Sequence, residues 1–173
     1  MIIGISACLL GDKVRYDGGD QQNPHVLRLA RHYETRKICP EVNIGLGVPR
    51  PPIQLIDDLR FPTAIGKHDP SLNPSDALRT LGKTVATTWP GLSGFIVKSR
   101  SPSCGNGSTK VIINGEDIRT GTGLFTEQLK RNSQIPVIEE TNLDSPASYT
   151  QFIMRVEHYY QQHYISKHGD NYE

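Results

Sequence analysis

The sequence predicts an α/β fold of three layers, a mostly parallel sheet of four to five strands with helices on both faces (Rossmann-like), plus small hairpin insertions. Three observations predict it. Short apolar runs of strand length alternate with longer stretches of helical period. The strand–helix order repeats four times, which joins parallel neighbours through crossover helices. Glycine, proline and aspartate gather where the runs end, as turns require.

Each element follows from its residues. Ile2 to Ser6 is a short apolar run suited to a buried parallel strand. The segment ACLLGDKVRYDGGD then reads as a loop. An Asn23-Pro24 start leads into HVLRLARHY, with apolar residues at Val26, Leu27, Leu29 and Ala30 on a helical period. RKICP is a second strand, stopped by Pro40. EVNIGLGVPRPP reads as a Gly/Pro loop, and Ile53 to Asp69 as a short hairpin. Asn73-Pro74-Ser75 opens a helix with apolar positions Ala77, Leu78, Leu81, Val85 and Ala86. GFIVK is a third buried strand and SRSPSCGNGST a loop. In KVIINGEDIR, Asn114-Gly115 signals a tight hairpin. Thr122 to Lys130 predicts a helix and QIPVIEE a fourth strand. SPASYTQFIMRVEHYYQQHY closes the fold as a helix with Ser145 at the N-cap and Pro146 at its first position.

The 173 residues predict a single domain over 1–165 and a flexible tail over 166–173. With 19 basic against 18 acidic residues, there is no field strong enough to favour extended nucleic-acid binding. No apolar run approaches the roughly 20 residues of a membrane span. MIIGIS reads as a first strand and not as a signal peptide, so a cytoplasmic location is expected. Three cysteines, an odd number, argue against a disulfide framework. In a cytosolic chain they point to metal binding or catalysis.

Those cysteines carry the most information. Cys8 lies two residues past the first strand, Cys39 ends the second, and Cys104 lies in the loop after the third. In a parallel sheet all of these positions share the carboxyl edge, where open α/β sheets bind ligands. A lone cysteine is ordinarily a small buried hydrophobe, but the repeated placement beside turn residues favours a shared site. Zinc takes four ligands in structural sites and three plus water in catalytic ones. Iron–sulfur clusters favour thiolates and are commonly held by four of them. Three thiolates around a four-iron cluster would leave one iron open. No histidine lies in the three loops, and His25 and His32 on the first helix are expected to face solvent.

The segments SACLLGDKVRYDGG (6–19), CPEVNIGLGVPRPP (39–52) and KSRSPSCGNG (98–107) resemble the three signature loops of the bacterial thiouracil desulfurases. They occur in family order, and the likeness spans roughly residues 2 to 140. The resemblance implies a 4Fe–4S cluster bound by Cys8, Cys39 and Cys104. It implies removal of sulfur from 2-thiouracil or a related small thiolated pyrimidine, giving uracil and hydrogen sulfide. Asn43-Ile44 and Gly47 depart from the expected Gly-Gly-Leu turn, so the departures fall at the pocket rim.

Such a reaction needs a group that takes and returns protons. Glu41, two residues after Cys39, is the first candidate; Asp17 in RYDGG is the second, although Asp-Gly is also ordinary turn chemistry. Ser101 is a third candidate in catalysis, and Ser103, Tyr16, Arg50 and Lys98 are candidate substrate contacts. Other readings stand beside this one: a non-catalytic iron–sulfur or zinc module, a sulfur-transfer enzyme acting on thiolated nucleosides or transfer RNA, and a metal-free redox thiol enzyme. The last lacks a C-x-x-C pair.

Overall fold

The computed structural model describes residues 1–166. All but the first residue of the expected tail, 167–173, lie outside the described residues. Strand β1 (Ile2–Ser6) runs into a single 3-10 turn, Ala7–Leu10, that carries Cys8. Helix α1 (Pro24–Ala30) starts where the sequence places it, because the Asn23 side chain accepts the backbone N–H groups of His25 and Val26. Strand β2 (Thr35–Ile38) ends at Cys39. The following segment is not all loop. Pro40–Asn43 forms one helical turn, α2, with Cys39 at its N-cap. Proline at the first position, where no N–H is needed, favours that turn.

Strands β3 (Ile53–Ile56) and β4 (Thr63–Gly66) form the expected first hairpin, and α3 (Ser75–Thr88) follows. Strand β5 (Leu92–Val97) is buried at every position. Strands β6 (Asn106–Ile113) and β7 (Glu116–Thr122) turn at Asn114 and Gly115, whose φ values of 52° and 81° fit a type I′ hairpin turn. Helix α4 (Leu124–Ser133), strand β8 (Val137–Glu139) and helix α5 (Pro146–Tyr160) complete the fold. Ser145 caps α5 reciprocally with Ser148.

Strands β1, β2, β5 and β8 make one fully parallel sheet in the order β2-β1-β5-β8. On one face, α1 and α5 bury Val26, Leu29, Phe152, Ile153 and Val156 against Ile3, Ile5 and Ile96. On the other, Val85 of α3 and Phe125 and Leu129 of α4 pack against Phe95 and Val97. These are the three expected layers.

The hairpins are more than insertions. They join through a parallel β3–β6 pairing into a second four-stranded sheet, ordered β4-β3-β6-β7. Its alternating burial is that of a sheet covered on one face only. Leu78 of α3 and Leu124 of α4 pack against its Ile53, Leu55, Ala64 and Val111. The same two helices therefore serve both sheets. Among the described residues no helix is long and apolar enough to cross a membrane.

Candidate active site

After β1 the chain crosses to β2 on one side, then returns to β5 on the other side of β1. The strand order thus reverses between β1 and β5, and a crevice opens outside the carboxyl ends at such a point. A cavity of about 450 Å³ lies there. Its wall includes Cys8 beyond β1, Cys39 beyond β2 and Cys104 beyond β5. Three thiols far apart in sequence thus border one space.

Each thiol is held locally. Cys8 and Cys104 are buried, and Cys39 is half-buried. The Cys39 thiol donates to the Val14 carbonyl at 3.6 Å. The Cys104 loop is folded by Ser101, whose Oγ accepts the N–H of Cys104 at 3.1 Å. Gly123 lets the start of α4 press on this loop, since a Cβ there would collide with the backbone of Ser103 and Cys104. Burial pushes the Cys8 thiol up to about 11 and the Cys104 thiol up to about 12. The neighbouring thiolates add to both shifts, while Arg15 and Lys98 oppose that of Cys8 and Ser6 opposes that of Cys104. Burial also raises Cys39, against the amide of Val42 and the charge of Arg50. Without a bound cation the three thiols are therefore protonated at neutral pH.

Three thiols without a histidine make a soft donor set. Among the described residues no three His, Cys, Asp or Glu side chains are grouped to hold one metal ion. An iron–sulfur cluster would instead spread its thiolates over several irons. The cavity and its donors fit such a group.

Glu41 comes from α2 and is only 8% exposed. Its Oε2 accepts Arg50 Nε at 2.7 Å and its Oε1 accepts the Ser103 hydroxyl at 2.8 Å. Ser103 Oγ lies 3.1 Å from Ser101 Oγ. An ionised carboxylate only accepts, so the Ser103 proton points at Glu41 and the Ser101 hydroxyl must donate to Ser103. The result is a directed chain, Ser101 to Ser103 to Glu41, along the cavity wall. Arg50, 8% exposed, also donates from Nη1 to the carbonyls of Val14 and Gly47 at 2.8 and 2.9 Å.

Lys98 lines the cavity too, but its three donors are engaged. Nζ donates to Glu140 Oε1 at 2.5 Å, to Ser99 Oγ at 3.0 Å and to the Ser99 carbonyl at 3.2 Å. Glu140 Oε2 takes the Ser99 N–H at 2.6 Å. Tyr16 sits at the rim, 43% exposed, with the Arg15 guanidinium 5.6 Å from its ring centre.

Of the residues singled out from the sequence, Cys8, Cys39, Cys104, Glu41, Ser101, Ser103, Tyr16, Arg50 and Lys98 all border this cavity. Asp17 does not. Its Oδ1 accepts the Gly19 N–H at 2.9 Å in a solvent-facing turn, and it lies 3.7 Å from Arg15. The Asp-Gly turn chemistry accounts for it. His25 and His32 are exposed on and just after α1. Sequence reasoning missed Glu140, Ser99 and Ser6, whose hydroxyl accepts the Lys98 N–H at 3.1 Å. A signal existed for Glu140: two glutamates end the fourth strand, at the sheet's carboxyl edge.

Comparison with known proteins agrees with this architecture. The chain is similar to the uncharacterized protein YbbK of Bacillus subtilis (strain 168), 29% identical over 153 residues that cover 83% of this chain and 98% of that protein. Among solved structures it is similar to the [4Fe-4S]-dependent thiouracil desulfidase TudS, at 28% identity and a TM-score of 0.65. That match covers 88% of this chain and 97% of TudS. The family model of the 2-thiouracil desulfurases matches residues 3–141, from the first strand to just past the Glu139-Glu140 pair, and with all three cysteine loops inside that span the chain belongs to the 2-thiouracil desulfurase family.

Proposed function

We propose that this chain is a cytoplasmic iron–sulfur-dependent desulfurase. It converts 2-thiouracil or a related thiolated pyrimidine, with water, to the uracil-type product and hydrogen sulfide. The observation that carries the reading is the convergence of Cys8, Cys39 and Cys104 on one cavity that also exposes the Glu41–Ser103–Ser101 chain. Family membership and the likeness to TudS support it.

The ligands are Cys8, Cys39 and Cys104. When bound there, a 4Fe–4S cluster would supply a Lewis-acidic iron able to polarise a thiocarbonyl, as metal ions polarise carbonyls. Glu41 takes a proton from the attacking water at Oε1, the oxygen that faces Ser103. The water oxygen becomes the product's carbonyl oxygen, the carbon–sulfur bond breaks, and two protons leave with the sulfur. No net oxidation or reduction occurs. Ser101 and Ser103 carry protons between Glu41 and the departing sulfur, their hydroxyls being within hydrogen-bond reach of one another. Lys98 holds positive charge at the wall.

A second reading, a thiolated nucleoside as substrate, is favoured by the mouth of the cavity. Arg15, Tyr16 and Arg100 line it, which suits a ring bearing a polar extension. The test is purification without air, reconstitution with iron and sulfide, an iron count, and addition of 2-thiouracil while sulfide is followed. About four irons per chain with sulfide release is the expected result. Iron without release, together with release from 2-thiouridine, would select the second reading. No iron binding would overturn the proposal.

A further inference from the structure

The strongest unused feature of the cavity is the way Arg50 is anchored. Its backbone N–H donates to the Tyr16 carbonyl at 2.9 Å, which ties the second loop to the first. Its side chain then reaches back across the same loop to α2. Nε meets Glu41 at 2.7 Å, Nη1 meets the Val14 and Gly47 carbonyls, and Nη2 points at Cys39 Sγ from 3.9 Å. A guanidinium has five N–H donors in a rigid plane. Four of them are directed at these partners, so at most one is left for a substrate.

We infer that Arg50 is a positioning residue: its planar fork holds the Glu41 carboxylate and the Cys39 sulfur in one arrangement, and turnover depends on that geometry rather than on the positive charge. The inference rests on the functional reading above, in which Glu41 moves the proton and Cys39 is a ligand. Glu41 and Cys39 belong to a single helical turn, which alone leaves the carboxylate free to rotate. Arg50 removes that freedom from outside the turn. A lysine would bring the same charge as a point with no fork, so it cannot satisfy Glu41, two carbonyls and a sulfur together. The N–H directed at Cys39 also stabilises added negative charge on that sulfur, and hydrogen bonds to ligand sulfurs set cluster potentials.

The test compares the reconstituted wild type with Arg50→Lys, Glu41→Gln and the double variant. Iron per chain, midpoint potential, kcat and KM for 2-thiouracil are measured. R50K is expected to keep its iron and lose about 10²-fold in kcat, the scale of a small misplacement at a reacting centre. Its KM should stay within about twofold, because uniform binding is untouched. Its potential should move to more negative values. In the E41Q background the same change should cost little more, since two residues acting as a unit are not additive.

Wild-type kcat and potential in R50K would overturn the inference. So would a raised KM at unchanged kcat, which marks a substrate contact, or fully additive losses with E41Q. A folded R50K that no longer holds iron would also overturn it, because Arg50 would then be needed for the cluster itself and not for the geometry of turnover. Should R50K fail to fold, Arg50→Ala assayed with added guanidinium or methylammonium makes the comparison, and equal rescue by both cations would overturn the inference. A wild type that binds no iron overturns the functional reading and this inference with it. A wild type with iron but without turnover overturns the substrate reading alone, and the potential shift still decides the role of Arg50.

Discussion

Two buried ion pairs, Arg50–Glu41 and Lys98–Glu140, lie at the carboxyl edge of the parallel sheet, and they are built to different ends. Glu140 accepts the Lys98 ammonium, the Ser99 hydroxyl and the Ser99 amide. Both of its oxygens are engaged in joining β8 to the end of β5, and it is not part of the cavity wall. Glu41 is equally buried and equally paired, with Arg50, but it does line the wall. Its second oxygen faces a hydroxyl that can pass a proton on. Burial and an opposite charge are therefore not enough to mark a working carboxylate. What separates the two is the cavity wall, which Glu41 lines and Glu140 does not, since both accept a serine hydroxyl. Glu140 locks the loop that carries Cys104, whereas Glu41 is joined through Ser103 to Ser101 along the cavity wall.

Four substitutions or conditions test this contrast. Glu41→Gln should keep about four irons per chain and lower kcat by about 10²- to 10⁴-fold, the range of a lost acid–base group. Single-turnover assays on the iron-loaded fraction check it, and near-normal turnover would break the contrast at once. Glu140→Gln should destabilise the fold and spare turnover. It leaves Lys98 buried beside a neutral amide, a change that costs about 3–5 kcal/mol when a buried pair is broken. Thermal unfolding should then fall by about 10 °C in a chain of this size. Turnover of the remaining loaded molecules should stay within a fewfold of wild type, and a large kcat loss without destabilisation would make Glu140 the working group instead.

The unloaded thiols give a pH-dependent effect. The values of Cys8 and Cys104, about 11 and about 12, lie above the 9.0 of a free thiol. A raised folded-state value adds stability that is fully present below pH 9 and is lost as pH climbs through the folded values. Urea midpoints of the metal-free protein should therefore fall between pH 8 and roughly 10.5. The fall should be shallower in a Cys8→Ala/Cys104→Ala variant, which removes the thiols but keeps the tyrosines. Equal slopes would mean that the thiols are not the groups responsible. Asp17→Asn should change kcat by less than about twofold, as for an ordinary surface turn residue. A larger loss would bring the RYDGG turn back into the reaction.

Much of this was legible in the amino-acid order because it is set by local rules. Strand and helix periods, the Asn23 and Ser145 caps and the Asn114-Gly115 turn each depend on a few neighbouring residues. The placement of Cys8, Cys39 and Cys104 at strand ends followed from the same periods, and parallel strands bring their carboxyl ends to one edge whatever the loop lengths. The proximity of Glu41 to Cys39 was likewise a matter of two residues of spacing.

Other features depend on partners far apart in the chain, which no local period encodes. The two hairpins become one sheet only because Leu55 and Ile56 pair with Val111 and Ile112. Lys98 and Arg50 read as candidate substrate contacts in the sequence, yet their donors go to partners far along the chain, Glu140 lying 42 positions from one and the Val14 carbonyl 36 positions from the other. Asp17 and Glu41 read alike as acids beside cysteine loops, and only the packing turned one outward to its own backbone and the other inward to Ser103. Which polar groups meet is decided by close packing at the carboxyl edge, where every buried donor must find an acceptor. The tertiary structure thus selected one carboxylate for the cavity from several that the sequence placed near it.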